Sequence, residues 1–128
     1  MLAHITDDLQ MLARHTLSYL GDLQSKKIVI DGETFTCLTG GNGPVLLFLH
    51  GLAGSKTQWR TVMQQLARDY HVIAVDIPGF CMQQLSAPHY RNVRDMLAWL
   101  QRFTDAMELT EYHLMAACSG AVIGFQHA

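Results

Sequence analysis

An α/β fold, a three-layer αβα sandwich around a mostly parallel sheet, is what this sequence predicts. Three observations carry that expectation. Apolar runs without alternation recur at 45–51 ("VLLFLHG"), 71–76 ("HVIAVD") and 112–117 ("YHLMAA"). Each has a segment of helical apolar spacing behind it, at 55–70, 92–107 and 119–128. Ahead of them stand two short segments rich in β-branched residues. A strand that is apolar throughout is buried on both faces, so helices must cover both sides of the sheet.

The elements follow in order. Residues 5–20 read as a helix: Thr6 suits the N-cap, Asp7 and Asp8 suit the positive end of the dipole, and Gly21 is a stop. The helix reads as an accessory element packed on the domain; because its polar face is mixed rather than basic, an amphipathic membrane helix is the lesser reading. "KKIVID" and "TFTCL", joined through Gly32, read as a hairpin. "TGGNGP" (39–44) is a turn cluster ahead of the first buried strand. In 55–70, Trp59, Val62, Met63 and Leu66 give the helix one apolar face. "IPGF" ends the second buried strand, and "SGAVIGFQHA" starts a helix after the third. No linker divides the 128 residues, so 1–128 is expected to be one domain, with 1–21 as its N-terminal accessory helix.

Composition narrows the function. Hydrophobic residues are 49% and charged residues 16%, enough for a sizeable core. A net charge of −2 with no basic stripe argues against nucleic acid. No apolar run is long enough to span a bilayer, and the acidic start does not read as a secretory leader. Cys37, Cys81 and Cys118 are widely spaced, as expected of reduced thiols in a cytoplasmic protein. A metal site from Cys81 with His71 or His89 has no tight ligand spacing behind it, and no cofactor or metal is expected.

Ligand sites of such sheets lie at the carboxyl ends of the strands. Three unusual loops fall there: "HGLAG" (50–54), "DIPGF" (76–80) and "AACSGA" (116–121). In that order and register, "VLLFLHGLAGSKTQW", "YHVIAVDIPGF" and "YHLMAACSGAVIG" resemble the first half of an α/β-hydrolase-fold protein of the esterase, lipase and C–C hydrolase type. The likeness runs from about Ile28 onward. It implies an α/β-hydrolase-like fold that stops after the nucleophile-turn helix, and a small ester-like substrate.

In that family the attacking residue sits in a nucleophile elbow, small-x-nucleophile-x-small, between strand and helix. Two registers of 116–121 satisfy the pattern. In one Cys118 attacks; in the other Ser119 does. The resemblance of "HLMA" plus Ala117 to the family's residues before the nucleophile favours Cys118. The plain alternative is that Cys118 is a small buried apolar residue. The turn holds no aspartate, which argues against attack of the haloalkane-dehalogenase or epoxide-hydrolase kind. "HGLAG" resembles the oxyanion loop: carried over by motif, the N–H groups of Leu52 and Ser119 would face the developing negative oxygen. Gly51 and Gly54 would permit the loop's geometry. His50 reads as a residue that shapes the loop rather than as a base. Asp76 and Gly79 would shape the second loop, and Phe80 would line the site. Cys81 stands where the family has glycine, which suggests an altered loop.

A serine or cysteine hydrolase also needs a base and an acid to orient it. After Cys118 there is no Asp or Glu, and His127 is the only histidine. At about 1.5 Å of rise per residue, a helix would carry His127 roughly 13 Å from the turn. Two functions therefore stand: an ester-type hydrolase acting by acyl transfer, or a catalytically inactive fragment or degenerate homologue serving as a binding or assembly module. The strand at 112–117 would present an unpaired edge, so a homo-oligomer through that edge is expected.

Overall fold

The computed structural model describes residues 6–10, 21–79 and 92–128. Residues 6–10 are helical; the rest of the predicted N-terminal helix lies outside the described residues, as does 80–91. Five strands form one mixed sheet: β1 (Gln24–Ile30), β2 (Glu33–Gly40), β3 (Val45–Leu49), β4 (His71–Val75) and β5 (His113–Ala116). Their order is β1-β2-β4-β3-β5. The hairpin β1–β2 is antiparallel and joins the sheet antiparallel through β2–β4, whereas β4, β3 and β5 run parallel. β3 pairs Leu47 with Ile73 on one side and with Leu114 on the other.

Alternate residues of the apolar strands feed two cores. Leu47, Leu49, Ile73 and Val75 face one layer, and Leu46, Phe48, Val72 and Ala74 the other. This is the two-sided burial that the unalternated runs imply. On the first face lies α2 (Val93–Ala106), whose Met96, Trp99, Leu100 and Phe103 recur at helical spacing. Trp99 meets Phe35 edge-on at 5.2 Å and stacks on Phe103 at 5.4 Å. Asn92 caps this helix by accepting from the Asp95 amide at 3.0 Å, with Asp95 itself in the first turn. Ile123 of α3 (Ser119–His127) joins the same core. The other face is covered by α1 (Arg60–Leu66) with Met63, followed by Ala67.

The helix expected over 55–70 instead opens as a 3₁₀ turn, Lys56–Trp59. Ser55 offers it no side-chain cap; the Lys56 amide is taken by Asp76, twenty residues away, at 2.6 Å. A tertiary acceptor thus starts this helix, and nothing local could announce it. Among the described residues, β5 pairs with β3 alone and lies at the edge of the sheet. Among the described residues no helix is long and apolar enough to cross a membrane.

Candidate active site

The carboxyl ends of β3, β4 and β5 meet at one rim, and the site is built from the corners there. β5 ends at Ala116, and α3 begins at Ser119. Cys118 makes the turn between them with φ 55° and ψ −128°. That pair lies outside the regions open to a residue with a Cβ, and holding it costs about 1–3 kcal/mol. The corner is over-determined by its neighbours. Ala117 N–H donates to the Leu49 carbonyl at 3.1 Å, tying the turn to β3. Gly120 N–H donates to Ala117 O at 3.0 Å, and Ala121 N–H to Cys118 O at 3.1 Å.

Two glycines let β3's end approach this corner. A Cβ on Gly120 would sit 2.2 Å from the His50 carbonyl oxygen. One on Gly51 would sit 2.8 Å from Cys118 Cβ. Gly51 therefore serves by close approach, not by an unusual φ. The positive φ in this loop falls on Ala53, at 60°, rather than on Gly51 or Gly54. Gly54 closes the loop by donating to Gly51 O at 3.0 Å, and a Cβ there would meet Gln58 Oε1 at 2.5 Å.

His50 is fully buried, and both ring nitrogens are engaged. The Ile77 amide donates to Nε2 at 2.9 Å, so Nδ1 carries the proton and donates to Gly51 O at 2.7 Å. The imidazole thus ties the loop after β3 to the chain after β4. Lys56 and Asp76 form a second tie that the sequence reading missed. The Asp76 carboxylate accepts from Lys56 Nζ at 2.5 Å as well as from its amide, with both side chains more than four-fifths buried. No local pattern marks a pair twenty residues apart. Gly79 adopts φ 82°, and Phe80 lies outside the described residues.

The structure brings Leu52 and Ser119 together. Leu52 N–H points across the rim and donates to Ser119 Oγ at 2.7 Å. As the first residue of α3, Ser119 has an amide without an intrahelical acceptor. The Cys118 side chain is exposed beside them. The other described thiol, Cys37, is fully buried, and desolvation pushes its pKa up against the opposing pull of Lys26. The thiolate is the nucleophilic form, so Cys37 is the inert one of the two.

Other sequence candidates lie elsewhere. His127 is bonded to Tyr112 Oη at 2.5 Å and stacks on that ring, at the far end of α3 from the turn. His71 is bonded to Thr39 at 3.0 Å; Cys81 and His89 lie outside the described residues. Among the described residues, no group of three His, Cys, Asp or Glu could hold a metal ion. A cleft of about 330 Å³ lined by Gly43, Pro44, Val45, Glu111, Tyr112 and His113 sits at the amino ends of β3 and β5, away from this rim.

Known proteins resemble the chain along most of its length. The α/β hydrolase fold family model matches residues 44–128. A fluoroacetate dehalogenase from Burkholderia sp. is 29% identical over 108 residues, 80% of this chain and 36% of that protein. A pimeloyl-[acyl-carrier protein] methyl ester esterase from Aeromonas hydrophila is 32% identical over 88 residues, 69% of this chain and 33% of its own length. The crystal structure of a membrane phospholipase A, described as a bacterial virulence factor, superposes with a TM-score of 0.73 at 25% identity, covering 98% of this chain and 40% of that one. The chain thus spans about a third of the length of these curated relatives.

Proposed function

The chain belongs to the α/β hydrolase fold family, and from that premise we propose that it is an ester-type hydrolase domain in which Cys118 takes up the acyl group. The observation that carries this is the strained backbone of Cys118, held at a strand–helix corner with the Leu52 amide alongside. Strain of that kind persists where a side chain must be presented at one place. Ser119 is the weaker nucleophile candidate, because its hydroxyl already accepts the Leu52 N–H. The ester class is supported by the names of two similar proteins, a methyl ester esterase and a phospholipase. Dehalogenase relatives are also similar, but this turn carries a thiol and no carboxylate.

The chemistry follows from the residues present. The Cys118 thiolate adds to the ester carbonyl carbon, and the carbonyl π pair moves to oxygen. The amides of Leu52 and Ser119 are the donors for that oxyanion. Collapse restores the carbonyl, expels the alkoxide or phenolate, and leaves a thioester on Cys118. An activated ester with a stable phenolate leaving group needs no proton for this half-reaction. Thioester hydrolysis needs an activated water. Residues 119–128 contain no Asp or Glu, and His127 is held by Tyr112. The expected behaviour of these 128 residues taken by themselves is one burst of acylation with little turnover.

Nitrophenyl acetate with intact-mass analysis tests the reading. One acetyl group per chain is expected, mapped to Cys118 and absent from Cys118→Ala. Labelling that survives in Cys118→Ala would remove the proposed role.

A second reading is assembly, with a further copy of the chain as partner, and one set of observations favours it. Among the described residues β5 is paired on one side only, Phe125 on α3 is 87% exposed and Val122 is 52% exposed. Free strand edges template pairing with another chain. A monomer in light scattering at micromolar concentration would count against it.

A further inference from the structure

Resting on the acyl-transfer reading above, we propose that the Ser119 side chain is the resting-state occupant of the oxyanion position and gates the acylation of Cys118. The Leu52 amide is the donor that reaches the nucleophile corner from the loop after β3. It is not free: it donates to Ser119 Oγ at 2.7 Å, across 67 positions of sequence. That is the short end of the range for an N–H···O bond. The loop that directs Leu52 is closed by the Gly54 amide on Gly51 O, and Gly51 leaves no space between loop and corner. The amide is therefore aimed at the hydroxyl by the fold itself.

The consequence is a competition between two acceptors for one donor. A ground-state ester carbonyl is a neutral acceptor, like the hydroxyl, and has no advantage over it. A developing oxyanion is charged, and charge-assisted bonds are roughly twice as strong. The hydroxyl yields only as charge develops on the substrate oxygen, by rotating about the Cα–Cβ bond of Ser119. Ground-state binding through this amide is thus suppressed, and its interaction is reserved for the addition step. Ser119 acts here as a positioning residue, through the amide of Leu52.

The test compares two reactions of the same thiol. Acetylation by nitrophenyl acetate passes through an oxyanion. Alkylation by iodoacetamide forms the sulfur–carbon bond as iodide leaves, with no oxyanion. Both rates are measured at Cys118 by intact mass in the wild-type chain, Ser119→Ala and Ser119→Thr. Removing one ordinary hydrogen-bond competitor corresponds to about a 2- to 10-fold rise in acetylation for Ser119→Ala. Alkylation is expected to stay unchanged, and Ser119→Thr, which keeps the hydroxyl, to return the wild-type ratio. Amide hydrogen exchange at Leu52 is expected to quicken in Ser119→Ala alone. An unchanged or lower ratio of acetylation to alkylation in Ser119→Ala would overturn the gate while leaving Cys118 as the acyl acceptor. No acetylation of Cys118 in any of the three proteins would overturn the acyl-transfer reading, and the gate with it.

Discussion

At the β1–β2 hairpin, Asp31 (φ 51°) and Gly32 (φ 81°) reverse the chain with two positive φ angles; at the β5–α3 corner, Ala117 and Cys118 redirect it with one, at Cys118 (φ 55°). The hairpin uses residue types that tolerate positive φ, and a Cβ on Gly32 would meet nothing within 4 Å. At Gly32 the requirement is purely conformational, while the Asp31 carboxylate also pairs with Arg102 Nε at 2.7 Å. At the second corner the glycines stand on either side of the strained position. Gly51 and Gly120 admit close approach of backbone, while the position that glycine would suit best keeps a thiol. A turn that serves only the fold chooses the permissive residue. The corner at Cys118 retains the strain and is held by bonds to β3 and α3, as the proposed presentation of its thiol would require.

The comparison breaks most severely at Gly120. Gly120→Val drives a Cβ into the His50 carbonyl, which is backbone and cannot step aside. A loss of about 3 kcal/mol is expected, the upper part of the usual cost of overpacking, read as a lower urea midpoint at unchanged slope. The same urea measurement sharpens the contrast with a pair of opposite sign. Gly32→Ala is expected to destabilise by about 1 kcal/mol through φ alone, since space is open there. Cys118→Gly is expected to stabilise: relief of about 1–3 kcal/mol exceeds the roughly 0.5–1 kcal/mol that glycine costs in chain entropy. Equal signs for the two variants would end the distinction between the corners.

The smallest effect concerns the other end of α3, where a histidine is packed rather than presented. Burial of His127 against Tyr112 lowers its pKa, with Asp105 pulling the other way. The folded chain therefore binds its proton less readily than the unfolded chain. Stability is complete above the unfolded histidine value of about 6.5 and falls as pH drops through it toward the lower folded value. His127→Gln is expected to flatten this part of a melting-temperature profile between about pH 7.5 and 5. A profile as steep as wild type would place the sensitivity elsewhere.

Much of the fold was legible in the residues. The unalternated runs at β3 and β4 could bury both faces only in a covered sheet, and Gly32 marked its hairpin by turn chemistry, although Asp31, expected as the last residue of the strand, is the first residue of the turn. The three carboxyl-end loops were legible as a group, because chain order alone carries them to one rim. What escaped was every tie across the rim. The bond from Leu52 to Ser119, the double acceptance of Lys56 by Asp76 and the bridging of His50 to Ile77 join residues 67, 20 and 27 positions apart. The role expected of Gly54 also shifted, since the unusual φ belongs to Ala53.

The residues by themselves determined which segments become strands and helices, and which loops share an edge, because hydrophobic period and turn chemistry are local properties of the chain. Only the tertiary structure decided between the two registers by putting the strained φ and ψ on Cys118, gave His50 its partners Gly51 O and the Ile77 amide, and brought the Ser119 hydroxyl to the Leu52 amide. Those outcomes depend on distances between elements that meet only after the sheet has formed.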